Sequence, residues 1–347
     1  MEVLNLNGSP HIDAIDPHCA LPGGEIRILG RGLRPRDLHR PAVHFAGDVE
    51  GAVVVSSSNF LVARVPDGAA SGSVVVATNG DRSNPRQVHI AVPVADNLHP
   101  VANPAVDAEG AIYVSFSGSR GQKVAVAIFR IDETYVAKPF VVEMMNPTGM
   151  AIGRDGSLYV SSRYDGTVYR VSKSGEVTSY AEGMGVATGI AFDREGNLYV
   201  GDRSGTIFKI GSDRQIFVFA TIEPSVSAYH LAFDDAGNLY VTGPTTSSFD
   251  AVHQIDPHGH VEVFYRGLGR PQGLAFDDKG NLYVAASLHG RRGIVKITRD
   301  RKASLAVSGQ NLVGLAFAPG KSLVLATNSG VYHLECGIAG RNLVPRH

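Results

Sequence analysis

A chain of 347 residues, 44% hydrophobic and 19% charged, can bury a large core and on ordinary domain sizes divides into about two units. Its formal net charge of −1 removes the broad positive field that nucleic acid or an anionic membrane surface would need. No apolar run reaches the ~18 residues of a bilayer span, and Met1-Glu2-Val3-Leu4-Asn5 has neither the basic nor the apolar region of a signal peptide.

Forty glycines and eighteen prolines, with no long stretch of 3.6-residue periodicity, predict an all-β chain rich in tight turns. Tryptophan is absent, which disfavours a sugar-stacking surface. After an N-terminal extension at 1–9, residues 10–90 form short β-runs separated by turn residues: 25–29, 42–45, 52–55, 60–65, 73–77 and 87–90. Runs of this length and spacing predict a small β-sandwich. The segments Pro22-Gly23-Gly24-Glu25, Gly30-Arg31-Gly32-Leu33, Val65-Pro66 and Thr78-Asn79-Gly80 resemble the immunoglobulin-like IPT/TIG family. That resemblance implies a spacer, docking platform or dimerisation element. The basic loop at 31–40 lacks aromatic stacking partners and is expected to be a solvated loop.

From residue 91 the sequence repeats itself. A hairpin motif, clearest as Thr188-Gly189-Ile190-Ala191-Phe192-Asp193-Arg194-Glu195-Gly196-Asn197-Leu198-Tyr199-Val200, recurs six times, with its turn glycine at 110, 156, 196, 237, 280 and 320. The gaps are 46, 40, 41, 43 and 40 residues, the period of a four-stranded propeller blade. Each copy is followed by a second hairpin, as in Thr167-Val168-Tyr169-Arg170-Val171 and Glu176-Val177-Thr178-Ser179-Tyr180. The last copy runs out after three strands, whereas Ala91-Val92-Pro93-Val94-Ala95-Asp96-Asn97-Leu98 matches an outer strand that precedes the first copy. The fold expected is therefore all-β: a small Ig-like β-sandwich (10–90), then a six-bladed β-propeller (91–334) closed by an N-terminal outer strand. The sandwich should sit rigidly beside the last blade, and 335–347 should be a surface tail. Cys19 and Cys336 are expected as free thiols rather than a bridge.

In such a ring the loop entering each innermost strand and the loop after each Leu-Tyr-Val run open on one face around the channel, where a ligand is expected. The entry positions are Ala102-Asn103, Thr148-Gly149, Thr188-Gly189, Tyr229-His230, Gln272-Gly273 and Val313-Gly314. His230 stands where four copies carry glycine, which makes it and Tyr229 the candidates for catalysis, His230 as a general base. Arg163, Arg203, Arg291 and Arg292 with Arg120 and Lys123 can ring the mouth as carboxylate or phosphate partners, offset by Asp165, Asp202 and Asp250.

The motif Gly-hydrophobic-Ala-hydrophobic-Asp…Gly-Asn-Leu-Tyr-Val resembles the NHL-repeat propellers and, next to them, the gluconolactonase/senescence-marker propellers. The second resemblance implies a divalent metal held by Glu, Asn and Asp just before the entry glycine. The matching positions here are Ala102, Thr148, Thr188, Tyr229, Gln272 and Val313, none of them Asp, Glu or Asn. No cofactor is expected on that account; a calcium or zinc ion, were one bound, would fall to Asn103, Gln272 and His230. The reading is a scaffold for a small-molecule or protein ligand, with no nucleic-acid partner, using Asn103, Thr148, Arg163, Thr188, Asp202, Arg203, Gln272 and Arg291. The alternative is a metal-dependent hydrolase of lactonase type, with His230 and Tyr229 acting on a small lactone or ester.

Overall fold

The computed structural model describes residues 9–35, 40–247 and 249–341. The N-terminal extension up to residue 8, the centre of the basic loop at 31–40, and the tail after 341 fall outside the described residues. Among the described residues every regular element is a β-strand, and no helix is long and apolar enough to cross a membrane.

The repeat motif folds as its residues dictate. In the copy at Ala187–Phe192 and Leu198–Asp202, the Asp193 carboxylate accepts from the backbone N–H groups of Glu195 and Asn197 at 3.0 and 2.8 Å and from the Asn197 side chain at 2.8 Å. Gly196 then turns the chain at φ +89°, a conformation that favours glycine. Asp234 with Asn238, and Asp277 with Asn281, repeat the arrangement. The tyrosine of each Leu-Tyr-Val run meets a phenylalanine of the following copy edge to face. Tyr159 with Phe192, Tyr199 with Phe233 and Tyr240 with Phe276 all have centroids 4.9 Å apart, while Tyr283 with Phe317 is at 5.5 Å. Such pairs contribute about 1 kcal/mol each beyond the area they bury, so the motif welds neighbouring sheets as well as shaping its own turn.

Among the described residues five four-stranded antiparallel sheets result, with innermost strands at Ala105–Val106, Pro147–Ile152, Ala187–Phe192, His230–Phe233 and Leu312–Ala318. The antiparallel run Leu274–Phe276, Leu282–Leu288, Arg291–Ile297, Ala303–Ser308 continues instead into the N-terminal unit. Each innermost strand packs against the next, and the strand at Leu312–Ala318 packs back on the one at Ala105–Val106. Val92–Asp96 supplies the outermost strand of the last sheet, pairing antiparallel with Gly330–Glu335, Val92 opposite His333 and Asp96 opposite Gly330. The seam between the two ends of the repeat array is thus closed by backbone hydrogen bonds, and no ragged edge remains there.

Residues 11–90 fold around their own core, in which Ile12, Ile26, Ile28, Val43, Leu61 and Val76 are fully buried. All six expected runs are strands. The expectation is a place beside the last repeat, on which Arg86–Ile90 does pack at Gly330–Glu335; the docking differs in that it also engages the penultimate repeat. Cys19–Ala20 lies between Arg86–Ile90 and Ala303–Ser308, with Ala20 opposite Ser308, so hydrogen bonds tie the unit to the penultimate repeat. The Leu21 N–H donates to the Ser308 carbonyl and the Glu25 N–H to Ser308 Oγ, both at 2.8 Å. The long hairpin of Leu282–Leu288 and Arg291–Ile297 overhangs toward this unit and puts the Arg291 guanidinium on Asp16, at 2.6 Å to both Oδ2 and the carbonyl. Arg291→Ala should remove about 1 kcal/mol of docking, since Asp16 is half exposed and solvent screens the pair. A fall of about 2–4 °C in the thermal midpoint would register it, and an unchanged midpoint would show that the strand pairing alone holds the unit.

The tail is a second correction. Residues 336–341 do not form an appendage but lie against the Asp-Gly-Asn turns of two repeats. The Asp278 N–H donates to Ala339 O at 3.0 Å, the Arg341 N–H to Phe276 O at 3.1 Å, and Arg341 Nε is 2.8 Å from Asp235 Oδ1. Gly340 is pressed against the Phe317 side chain, where a Cβ would lie 2.0 Å from that of the phenylalanine. Cys336 is buried with Cys19 in one apolar cluster and both are free thiols. Burial and then the neighbouring Cys336 push the Cys19 thiol up to about 12, far from the reactive thiolate range.

Candidate functional site

Successive innermost strands approach one another too closely for side chains between them. A Cβ on Gly149 would lie 2.3 Å from Thr188 O, one on Gly189 2.2 Å from Tyr229 O, and one on Gly314 2.6 Å from Asn103 Cα. The repeated glycine is therefore a packing requirement of the ring. Asn103 and His230 are the two members of the series with side chains.

Asn103 reaches across to the far end of the array. Its Nδ2 donates to Leu274 O at 3.0 Å and its Oδ1 accepts from the Leu315 N–H at 3.1 Å. Both ends of the amide are thus spent fastening two innermost strands to the start of the first. Thr188 does the same between neighbours, with Oγ1 donating to Gly201 O at 2.8 Å and accepting from the Tyr229 N–H at 3.1 Å. Thr148 Oγ1 donates to Asn146 O at 3.2 Å. Gln272 is held through its backbone, the N–H donating to Ala285 O at 2.9 Å and the carbonyl accepting from Thr242 Oγ1 at 2.5 Å.

Tyr229 turns its hydroxyl to the Glu223 carbonyl, and burial followed by Asp202 and Glu223 raises its pKa. His230 is 3% exposed, and desolvation alone pushes it down to about 4. An imidazole so placed is neutral at physiological pH but cut off from solvent, so the expected general base does not face an open site. These side chains, taken as one constellation from the sequence, are dispersed among separate structural bonds.

The arginines divide likewise. Arg163 donates to Gly118 O at 2.6 Å, and burial, then Arg203 and Arg120, lower its pKa, which places three guanidinium groups in one neighbourhood. Arg163 Nε is buried with no hydrogen-bond partner among the described residues. Arg203 donates to Val226 O at 3.1 Å, whereas Asp202 accepts from the Val186 N–H at 2.8 Å and from Ser204 Oγ. Arg291 is withdrawn to Asp16, away from this group.

The metal set implied by the gluconolactonase resemblance does not fit. The motif positions carry no carboxylate, both polar ends of the Asn103 amide are bonded to backbone, and no cluster of three or more His, Cys, Asp or Glu suited to a metal occurs among the described residues.

A feature that sequence reasoning passed over lies beside Tyr229. A cavity of ≈ 30 Å³ is lined by Glu223, Thr245, Phe249, Asp250, His253 and Arg266. These come from three segments of the fourth repeat and its approach, and no local motif joins them.

Comparison with known proteins agrees with this architecture. The model of the SBBP β-propeller repeat matches residues 219–250. No curated protein matches the chain. A putative gluconolactonase of solved structure is similar over 73% of this chain and 94% of its own, at 19% identity and TM-score 0.59. A Bacteroides thetaiotaomicron protein of unknown function is similar over 96% of this chain and 99% of its own, at 14% identity and TM-score 0.58. An auxiliary nutrient binding protein from the same species covers 95% and 98%, at 11% identity and TM-score 0.57. Likeness at such identities is likeness of fold: the chain is an all-β protein built on a β-propeller.

Proposed function

We propose that this chain is a ligand-binding scaffold: a six-bladed NHL-like propeller over 91–334, carrying an IPT/TIG-type immunoglobulin-like unit at 10–90. In this reading the run from Leu274 to Ser308 is the fifth blade, its outer strand shared with the N-terminal unit. The observation that carries the functional half is the fate of the entry-loop side chains. Asn103, Thr148, Thr188 and Tyr229 are each consumed in bonds to the ring's own backbone, which leaves recognition to the loops beyond them. On that face Arg120, Arg163 and Arg203 offer a positive group for a carboxylate or phosphate on a small-molecule or protein ligand. The likenesses to an auxiliary nutrient binding protein and to a putative gluconolactonase support the propeller fold alone and do not divide the two roles.

The test is metal analysis of protein purified without chelator, with melting curves taken with and without EDTA. The scaffold reading expects less than a stoichiometric metal content and an unchanged midpoint, because a metal bound only by the native state would raise stability by mass action. One equivalent of calcium or zinc with an EDTA-sensitive midpoint, or turnover of a lactone, would replace it with the hydrolase.

A further inference from the structure

A cleft of ≈ 330 Å³ lies where the N-terminal unit meets the penultimate repeat. Its size falls within the range of small-ligand pockets, which begins at about 300 Å³. One wall is the outward face of the sheet formed by Glu25–Arg31, Phe60–Arg64 and Val49–Ser56. The other is the tip of the overhanging hairpin, at Gly290, Arg291 and Arg292, together with Ser308 and Gln310.

The sheet wall is apolar for a local reason. Arg27 pairs with Val62 and Val62 with Val55, so the three side chains stand in one row across the sheet, on the face away from the buried Ile26, Ile28, Leu61 and Ala63. Val53 pairs with Ala63 and packs on the core, and the register slips between Val53 and Val55. Val54 is the extra residue of that β-bulge. The bulge delivers two successive valines to the cleft, 48% and 43% exposed, where strict alternation would supply one.

The charges on the walls do not balance. Glu25 accepts from Arg64 Nη2 at 3.0 Å, and Arg291 is held on Asp16. Arg27 has no carboxylate partner among the described residues, and its guanidinium lies over the Phe60 ring, 6.0 Å from the centroid. Arg292 has none either; its side chain makes one long hydrogen bond, from Nη1 to Gln310 Oε1 at 3.4 Å. Ser308 Oγ accepts from the Glu25 N–H. Two guanidinium groups are thus uncommitted, while the one carboxylate that lines the cleft is already paired. Water solvates guanidinium groups but gains nothing on the valines, and a cation would meet four arginines against two carboxylates. An anion with an apolar body suits both walls.

From this geometry we infer that the cleft between the N-terminal unit and the 288–292 hairpin binds an amphiphilic anion: a carboxylate or phosphate head taken by Arg27 and Arg292, on an unbranched apolar chain laid across Val62 and Val55 beside Val54. Val55 lies two strand spacings from Arg27, about 10 Å, which is the reach of an alkyl chain of about eight carbons. The site is separate from the loop face and does not depend on the binding reading there. Because its walls belong to different units, an occupant also braces the docking made by Ala20 and Ser308.

Sodium octanoate, titrated into the full chain and followed by calorimetry, tests it and should bind saturably. Octylammonium, with the same chain and the opposite charge, should give no saturable heat. Butanoate should bind about tenfold more weakly, because it buries less chain. Arg27→Gln and Arg292→Gln should each weaken octanoate about fivefold or more. Val55→Thr should weaken octanoate about threefold and leave butanoate unchanged. All three side chains are exposed, so the fold tolerates these changes, and Arg154→Gln, at an exposed arginine of the second repeat, should bind octanoate as the parent does. Octyl phosphate separates the heads: whichever anion binds more tightly names the acid that the cleft takes. Absence of saturable heat with both anions, octylammonium bound as well as octanoate, or octanoate affinity unchanged in either arginine variant would overturn the inference. The last result would put the anion elsewhere, on the loop-face arginines among other places, and leave the scaffold reading standing.

Discussion

Replacing Gly189 by alanine is expected to cost about 3 kcal/mol and to lower the thermal midpoint by about 6 °C or more. The added methyl would lie 2.2 Å from Tyr229 O, 2.8 Å from its carbonyl carbon and 2.9 Å from His230 Cα. All three are backbone atoms, so no rotamer change relieves the contact and the two innermost strands must separate. That separation would also strain the Thr188 bracket, whose hydroxyl accepts from the Tyr229 N–H. Gly183→Ala is the control. Gly183 has φ +88° and nothing within 4 Å, so alanine there meets only the left-handed conformational penalty of about 1 kcal/mol. Equal losses in the two variants would mean that backbone conformation, and not the closeness of the strands, fixes the glycine series.

Acidification from pH 6.5 toward pH 4 should remove about 3 kcal/mol of stability through His230 alone. The folded imidazole sits near 4 because it is fully desolvated, against 6.5 for an unperturbed histidine. Between those values the unfolded chain takes up a proton that the folded chain refuses. Stability from this residue is therefore complete above 6.5, declines as the pH falls through that window, and is flat below about 4. His253 and His333 are displaced in the same direction, chiefly by burial, and add to the slope. Comparison with His230→Gln isolates the one residue: the variant should be less sensitive to pH across this interval. An imidazole resonance of His230 that titrates near 6.5, or an unaltered slope in the variant, would show an open and hydrated site and revive the general-base reading.

The propeller was legible because its information is local and repeated. Asp193, Gly196 and Asn197 shape one turn by bonds spanning four residues or fewer, and Tyr199 finds its phenylalanine one repeat away, so a pattern in the chain maps directly onto contacts. The outer strand at Val92–Asp96 could be read for the same reason: a copy with three strands demands a fourth, and one unpaired strand stood upstream. His230 was singled out because it stands, like Asn103, where four copies carry glycine, yet its chemistry could not be read from its identity. Burial sets that chemistry, and burial depends on how the neighbouring innermost strands pack against its own.

Asn103 shows the same limit. Its residue type suggested a ligand, but the direction of the amide is fixed by Leu274 O and Leu315 N, about 170 and 210 residues away. The tail, the Arg291–Asp16 pair and the pocket of Glu223, Asp250 and His253 belong to the same class, assembled across segments whose separation carries no periodicity. The sequence by itself determined the strands, the turns and their ring order, since these follow from short-range hydrogen bonding and a repeated apolar pattern. Which polar side chains are bonded into the ring and which remain for a ligand was decided only by the tertiary structure, because a buried donor or acceptor takes whatever partner the packing brings to it.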